Sequence, residues 1–121
     1  MRLALILSLA ALVGLSGCVT KKYQWNDYER RLYEAYKDPS QVEALKVRLE
    51  ETTAALEVSK QKVPPGLYAE LGTLYLEEGS IDKAKIYYAK ERDAWPESKT
   101  LMDSLINNLN SREKNLGQVK K

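Results

Sequence analysis

Apolar side chains recur at a helical period from Trp25 onward. In the first segment they fall at three- and four-residue steps, which predicts one buried helical face. The members of that face are Trp25, Tyr28, Leu32, Ala35 and Tyr36. A second, narrow stripe on a charged segment predicts a helix that runs to about Lys60. Its members are Val42, Leu45, Leu49, Thr52 and Leu56.

The residues between these two helices predict a stop followed by a start. Asp38 can accept hydrogen bonds from first-turn amides, and Pro39 suits the first helical position. Gln41 stands where a capping box places its reciprocal partner. Further along, Val63-Pro64-Pro65-Gly66 must end the second helix, because consecutive prolines cannot continue one.

Three more helices are predicted after this break. Leu67 to Glu78 is helical in pattern, Gly79-Ser80 supplies a C-terminal stop and an N-cap, and Ile81 to Trp95 is helical until Pro96. A fifth helix carries a broad apolar stripe of Leu101, Met102, Leu105, Ile106 and Leu109. We therefore predict an all-α domain of about five helices over residues 25–110. A polar, flexible tail is predicted over residues 111–121.

One stretch, Pro65 to Ser98, resembles a tetratricopeptide repeat. The residues that carry the resemblance are Tyr68, Leu71, Gly72, Tyr75, Ala84, Tyr88 and Pro96. It implies an antiparallel helix pair in which Gly72 and Ala84 lack bulk where the helices cross. Glu91 stands where the family usually has alanine, which leaves the packing of the following helix open.

A lone helix pair cannot bury its apolar face, so the upstream helices are expected to complete the stack. At an offset of 39 residues, Leu32 matches Leu71, Tyr36 matches Tyr75, Leu45 matches Ala84 and Leu49 matches Tyr88. This correspondence predicts a degenerate first repeat, with Tyr33 in place of the glycine. The fifth helix is then expected to cap the array.

The N-terminal residues follow the order of an export signal. Arg2 precedes an apolar core, Leu3 to Val13, which is shorter than the roughly 20 residues that span a bilayer. Leu15-Ser16-Gly17-Cys18 then resembles the lipobox of bacterial lipoprotein precursors. The resemblance implies a cleaved signal peptide over residues 1–17 and a diacylglycerol on the Cys18 thiol.

Residues 18–24 are therefore interpreted as a lipidated cysteine and a short linker. Cys18 is the only cysteine, so lipidation would leave no free thiol. Val19 follows it, which resembles the outer-membrane sorting pattern of enteric bacteria. The linker spans at most roughly 20 Å, which predicts a domain held close to the periplasmic face of that membrane. Lys21 and Lys22 either contact anionic headgroups or only improve solubility.

Composition excludes several functional classes. The chain has 19 basic and 17 acidic residues, and loss of Arg2 with the signal leaves 18 against 17 (19 − 1 = 18), so nucleic-acid binding is not expected. Histidine is absent and no glycine-rich phosphate loop occurs. The adjacent pairs Glu50-Glu51 and Glu77-Glu78 point about 100° apart on a helix, so neither converges on one substrate atom. We predict no enzymatic activity, cofactor, metal or small-molecule substrate.

Partner binding is the remaining class. In tetratricopeptide domains the first helix of each pair lines the concave face, which implies a set of binding candidates. They are Arg30, Tyr33, Lys37, Ala69, Thr73, Leu76 and Glu77. Leu76 suits a peptide anchor, or else contacts the first helix pair. Trp25 and Tyr23 either lie at the lipid interface or pack the first helix against the second.

The lipobox, the aromatic first helix, the Val63 to Tyr68 junction and the Trp95 to Ser98 turn together resemble a family of small uncharacterised bacterial lipoproteins. Genes of that family often lie beside one for a lipoprotein related to the curli secretion channel. The resemblance implies an interaction scaffold or assembly factor for an envelope or secretion complex, with such a lipoprotein as partner. The alternatives are a regulator of a peptidoglycan synthase, which the short linker disfavours, and a structural lipoprotein without a specific partner.

Overall fold

The computed structural model describes residues 22–119, and this part of the chain is all-α. Its helices are α1 (Tyr28–Lys37), α2 (Val42–Val58), α3 (Leu67–Glu77), α4 (Ile81–Ala94) and α5 (Lys99–Val119), with short 3₁₀ turns at Pro39–Gln41 and Pro96–Ser98. The predicted class and number of helices are confirmed. The predicted signal peptide, the lipidated Cys18 and the linker up to Lys21 lie outside the described residues.

Each helix packs against the next one in the chain, and α3 with α4 forms the most extensive pair. Short connections make successive helices antiparallel. One apolar core runs through the stack. Its buried members are Ala35, Leu45, Leu49, Leu56, Val63, Leu67, Tyr68, Leu71, Leu74, Tyr75, Ala84, Tyr88, Met102 and Leu109. The stripe predicted for α2 is therefore confirmed at Leu45, Leu49 and Leu56.

The predicted stop after α3 is also confirmed. Gly79 has a φ of 81°, a left-handed conformation that favours glycine. Its N–H donates to the Leu76 carbonyl at 2.9 Å, and the Ser80 N–H donates to the Tyr75 carbonyl at 2.8 Å. These two hydrogen bonds satisfy carbonyls that the end of a helix would otherwise leave unpaired. The Ser80 side chain, in contrast, makes no cap hydrogen bond.

The start of α2 differs in detail from the predicted capping box. Asp38 Oδ1 accepts from the Ser40 N–H at 3.0 Å, so it caps the 3₁₀ turn that leads into α2. The predicted reciprocal bond from Gln41 is absent, and that prediction was wrong. The reason is that the Asp38 N–H already donates to the Glu34 carbonyl at the end of α1, at 2.9 Å.

The face predicted to be buried on α1 is only partly so. Ala35 is buried, but Leu32 is 38% exposed and Tyr36 is 87% exposed. Their proposed equivalents in α3, Leu71 and Tyr75, are 0% and 6% exposed. The offset of 39 residues therefore does not describe α1. This helix is turned so that Ala35 meets the core and two predicted core residues face outward.

Helix α5 covers α4 through Met102 and Leu109, as expected of a capping helix. Leu101, predicted as part of the same stripe, is 61% exposed. The helix also continues to Val119, where the sequence predicted a flexible tail from Ser111. Lys85 Nζ on α4 lies 2.8 Å from Glu113 Oε2, and this ion pair holds the extension against α4.

Candidate partner-binding face

The crossing of α3 and α4 determines which side of α3 faces outward. A Cβ added to Gly72 would lie 2.6 Å from Cδ1 and Cε1 of Tyr88 and 3.2 Å from the Ala84 carbonyl oxygen. Ala84 and Tyr88 are 0% and 2% exposed. The predicted close approach at Gly72 is therefore confirmed. It holds one side of α3 against α4.

Four predicted candidates lie along α3 at three- and four-residue steps, and we call them the α3 face. They are Ala69, Thr73, Leu76 and Glu77. Thr73 and Glu77 are exposed, while Ala69 and Leu76 are half-buried and pack against the core. Thr73 Oγ1 donates to the Ala69 carbonyl at 3.1 Å and lies 3.2 Å from the Tyr88 hydroxyl. Leu76 thus serves both the core and the surface.

Glu70 belongs beside this face, although the sequence did not single it out. Burial raises the pKa of its carboxyl above the usual range, and the nearby Glu77 charge raises it further. Burial also raises the pKa of the Tyr28 hydroxyl, to which the Glu70 charge adds, so the start of α1 lies near Glu70. Glu70 lies in the first turn of α3, where acidic residues are common because they interact favourably with the helix dipole. The sequence pattern therefore does not distinguish it as a functional residue.

The α3 face is acidic. Within residues 22–119, neither Glu70 nor Glu77 forms an ion pair, whereas other acidic side chains of the stack do, such as Glu57 with Lys90 at 2.8 Å. Two acidic residues without ion-pair partners, on the helix that also carries Leu76, favour a ligand that carries positive charge and an apolar group.

The α1 candidates make their polar contacts within or next to their own helix. The Arg30 guanidinium is held within its own helix, 3.0 Å from Asp27 and 2.8 Å from Glu34. Lys37 Nζ lies 4.7 Å from the centre of the Tyr33 ring. No hydrogen bond or ion pair in the described part of the chain joins these residues to the α3 face. The predicted candidates therefore form two sets, one on each helix, that no polar contact joins.

The N-terminal aromatic residues pack inward. The Tyr23 ring meets the Trp95 ring edge-on, with centroids 5.6 Å apart, and Trp25 stacks on Tyr28 at 5.9 Å. Lys62 Nζ lies 3.5 Å from the centre of the Trp95 ring. Three segments therefore meet at one end of the stack, namely the N-terminal segment, the α2–α3 loop and the end of α4. Tyr23 therefore contacts the end of α4, whereas the packing predicted for it was of the first helix against the second.

Glu91 is buried at the same end, with 1% of its surface exposed. Its Oε1 accepts from the Gly66 N–H at 2.8 Å and lies 3.3 Å from the Ser98 hydroxyl. The carboxylate therefore joins the loop before α3 to the turn after α4. The sequence marked Glu91 as a departure from the repeat pattern, but its partners are distant along the chain and could not be inferred locally.

An ionic cluster links α1 to α2. Arg48 Nε donates to Asp27 Oδ1 at 2.8 Å, and Arg31 Nε donates to Asp27 Oδ2 at 3.2 Å. The hydrogen bond from Arg48, with that from Arg31, lowers the pKa of Asp27 to about 2. This cluster joins the start of α1 to the middle of α2.

Residues 22–119 hold no group of three or more histidine, cysteine, aspartate or glutamate side chains placed to bind a metal ion. Across the same range, every helix is too short or too polar to cross a membrane.

Five helices, each packed on the next, define residues 22–119 as an all-α domain. Residues 22–105 match the family model described as Domain of unknown function (DUF4810). The chain belongs to this family. No curated protein and no solved structure matches it.

Proposed function

We propose that this chain is a bacterial lipoprotein, anchored to the outer membrane through Cys18, whose periplasmic helical domain binds a protein of an envelope or secretion complex. The observation that carries the proposal is the α3 face, where Leu76 is half-buried on the same helix as Glu70 and Glu77, two acidic residues without ion-pair partners among residues 22–119. A face of this kind, held rigidly by the Gly72 crossing, suits recognition of a peptide more than catalysis.

A tetratricopeptide-like arrangement supports the same function. Six of the seven motif residues are buried in the α3–α4 pair, and Pro96 begins the turn that follows α4. In such arrays the first helix of a pair presents a row of side chains to an extended segment of the partner. Helix α3 holds that position here.

The chemistry of the face indicates the kind of segment that it takes. Glu70 and Glu77 favour lysine or arginine, and Leu76 favours an apolar side chain a few residues away. A basic and apolar segment of a lipoprotein related to the curli secretion channel is the partner that we favour. We also propose that the chain is not an enzyme and binds no cofactor.

The anchor is tested by replacing Cys18. We expect the Cys18→Ser chain to leave the outer-membrane fraction while its far-ultraviolet circular dichroism stays helical. Membrane fractions separated on a density gradient give the measurement, with the parent chain beside the variant. Retention of the variant in the outer membrane would contradict the lipid anchor.

The binding face is tested by crosslinking in intact envelopes, followed by purification of the chain and mass spectrometry. We expect Glu77→Lys to reduce recovery of an outer-membrane secretion lipoprotein. Glu97→Lys is the matched control, because it makes the same charge change at another exposed glutamate. Recovery that falls equally in both variants would argue against the α3 face. Recovery of a peptidoglycan synthase would favour the regulator instead, and no specific partner would favour a structural role.

A further inference from the structure

Among residues 22–119, no segment covers an apolar face of helix α1 that is formed by Leu32, Tyr33 and Tyr36. Tyr33 is 57% exposed and Tyr36 is 87% exposed. With Glu29, these residues line a shallow groove of about 490 Å³. End helices of repeat arrays need polar outer faces when they meet only solvent. A contiguous apolar face at this end of the stack therefore indicates a protein contact.

The charges on this face are arranged symmetrically about Tyr33. Glu29 lies four residues before it and Lys37 four residues after it, so the three side chains share one side of the helix. Among residues 22–119, the ion pairs of α1 involve Arg30 and Arg31 and leave Glu29 and Lys37 free. Glu29, Tyr33 and Lys37 thus form a row with one charge of each sign, and the two charged residues are equally far from the Tyr33 ring in sequence.

Such a row is complementary to itself when reversed. If two copies of α1 lie antiparallel with Tyr33 on a twofold axis, Glu29 of each copy faces Lys37 of the other. A parallel arrangement would instead set like charges side by side. Charge complementarity therefore favours a second copy of this chain as the occupant, in the self-complementary contact typical of twofold dimers.

We propose that two copies of this chain associate through antiparallel α1 helices about an axis at Tyr33. The two rings meet at the axis, Leu32 and Tyr36 cover their flanks, and two Glu29–Lys37 ion pairs close the ends. The ten-residue helix is about 15 Å long, so the dimer belongs to the small, transient class of interfaces. The α3 face stays open in this dimer, and the proposal does not depend on the lipid anchor.

Disulfide crosslinking in cells tests the axis directly. We expect the full-length Tyr33→Cys chain, oxidised with copper phenanthroline, to give several-fold more dimer on a non-reducing gel than Ile86→Cys. Ile86 on α4 is the matched control because it is 56% exposed, against 57% for Tyr33. The parent chain measures any dimer formed through Cys18. Equal yields from positions 33 and 86 would overturn the proposal.

Charge reversal tests the pairing. We expect Glu29→Lys or Lys37→Glu alone to raise the dissociation constant of the detergent-solubilised, full-length chain about tenfold, because each sets two like-charge pairs together. The double variant should return it to near the parent value. Sedimentation equilibrium measures the constant, and circular dichroism checks that α1 remains helical. A double variant that associates no better than the single ones would overturn the proposed geometry.

Discussion

Replacing Gly72 with alanine should destabilise this domain, although alanine is the better helix former. The new Cβ would lie 2.6 Å from two ring carbons of Tyr88, and ordinary van der Waals contact begins near 3.4 Å. Tyr88 is 2% exposed, so its ring has little room to move. Overpacking of this kind costs roughly 1–3 kcal/mol. The helix propensity of alanine offsets about 1 kcal/mol.

The displacement needed is close to 1 Å within a packed core, which places the cost in the upper part of that range. We therefore expect a net loss of about 1–2 kcal/mol. For a domain of this size, such a loss lowers the melting temperature by roughly 4–16 °C. Thermal unfolding followed by circular dichroism at a helical wavelength measures the shift.

The same substitution in a chain that lacks the Tyr88 ring tests whether this ring causes the loss of stability. In a Tyr88→Leu chain, whose branched side chain can rotate away, the same Gly72→Ala change should become neutral or stabilising by up to about 1 kcal/mol. That change of sign is the decisive result. If Gly72→Ala destabilises both backgrounds equally, Tyr88 is not the obstacle, and the account of the α3–α4 crossing is wrong.

Three further outcomes are expected. The parent should be more stable than Asp27→Asn above about pH 4, and this advantage should disappear toward pH 2. The reason is that the pKa of Asp27 is about 2 in the folded chain and about 3.9 in the unfolded chain. Urea unfolding across this pH range measures the difference. Glu91→Ala should cost about 1–3 kcal/mol by leaving buried donors unpaired, and Glu91→Gln should cost less because one acceptor oxygen remains; equal urea midpoints for the two would contradict this. Glu113→Ala should remove the pair with Lys85 and speed amide exchange at the end of α5, while exchange near Met102 stays unchanged.

The α2 to α4 region could be predicted from sequence because its patterns are local. Two prolines, a left-handed glycine at position 79 and regular apolar spacing fix where these helices begin and end. The small residues Gly72 and Ala84 then determine how α3 and α4 cross. In each case the residues that decide the structure lie within one or two turns of the feature they produce.

Helix α1 shows where periodicity fails. Tyr28, Leu32, Ala35 and Tyr36 span a broad apolar arc, and the pattern cannot tell which edge of the arc faces the core. The ionic contact between Asp27 and Arg48, 21 residues apart, accompanies a rotation that exposes Tyr36. Such a contact leaves no mark on the local pattern, so both the orientation of α1 and its uncovered face required the structure.

The same limit applied to the candidate site. Four of the seven predicted partner-binding residues share the α3 face, because a single helix fixes their spacing. The other three lie on α1, and their placement depended on a repeat register that this helix does not follow. Glu70 could not be predicted from the sequence, because only its burial distinguishes it from other acidic residues in the first turn of a helix. No local pattern reveals that burial.

The edge-on contact between Tyr23 and Trp95 has a mechanical consequence. Its two rings are 72 residues apart in sequence (95 − 23 = 72), whereas each helix otherwise packs mainly on its immediate successor. A pulling force on the N-terminal end would therefore not peel α1 from the stack first. The load would pass at once into the end of α4 and, through Lys62, into the α2–α3 loop. The contact between Tyr23 and Trp95 would therefore have to separate before tension reaches α1.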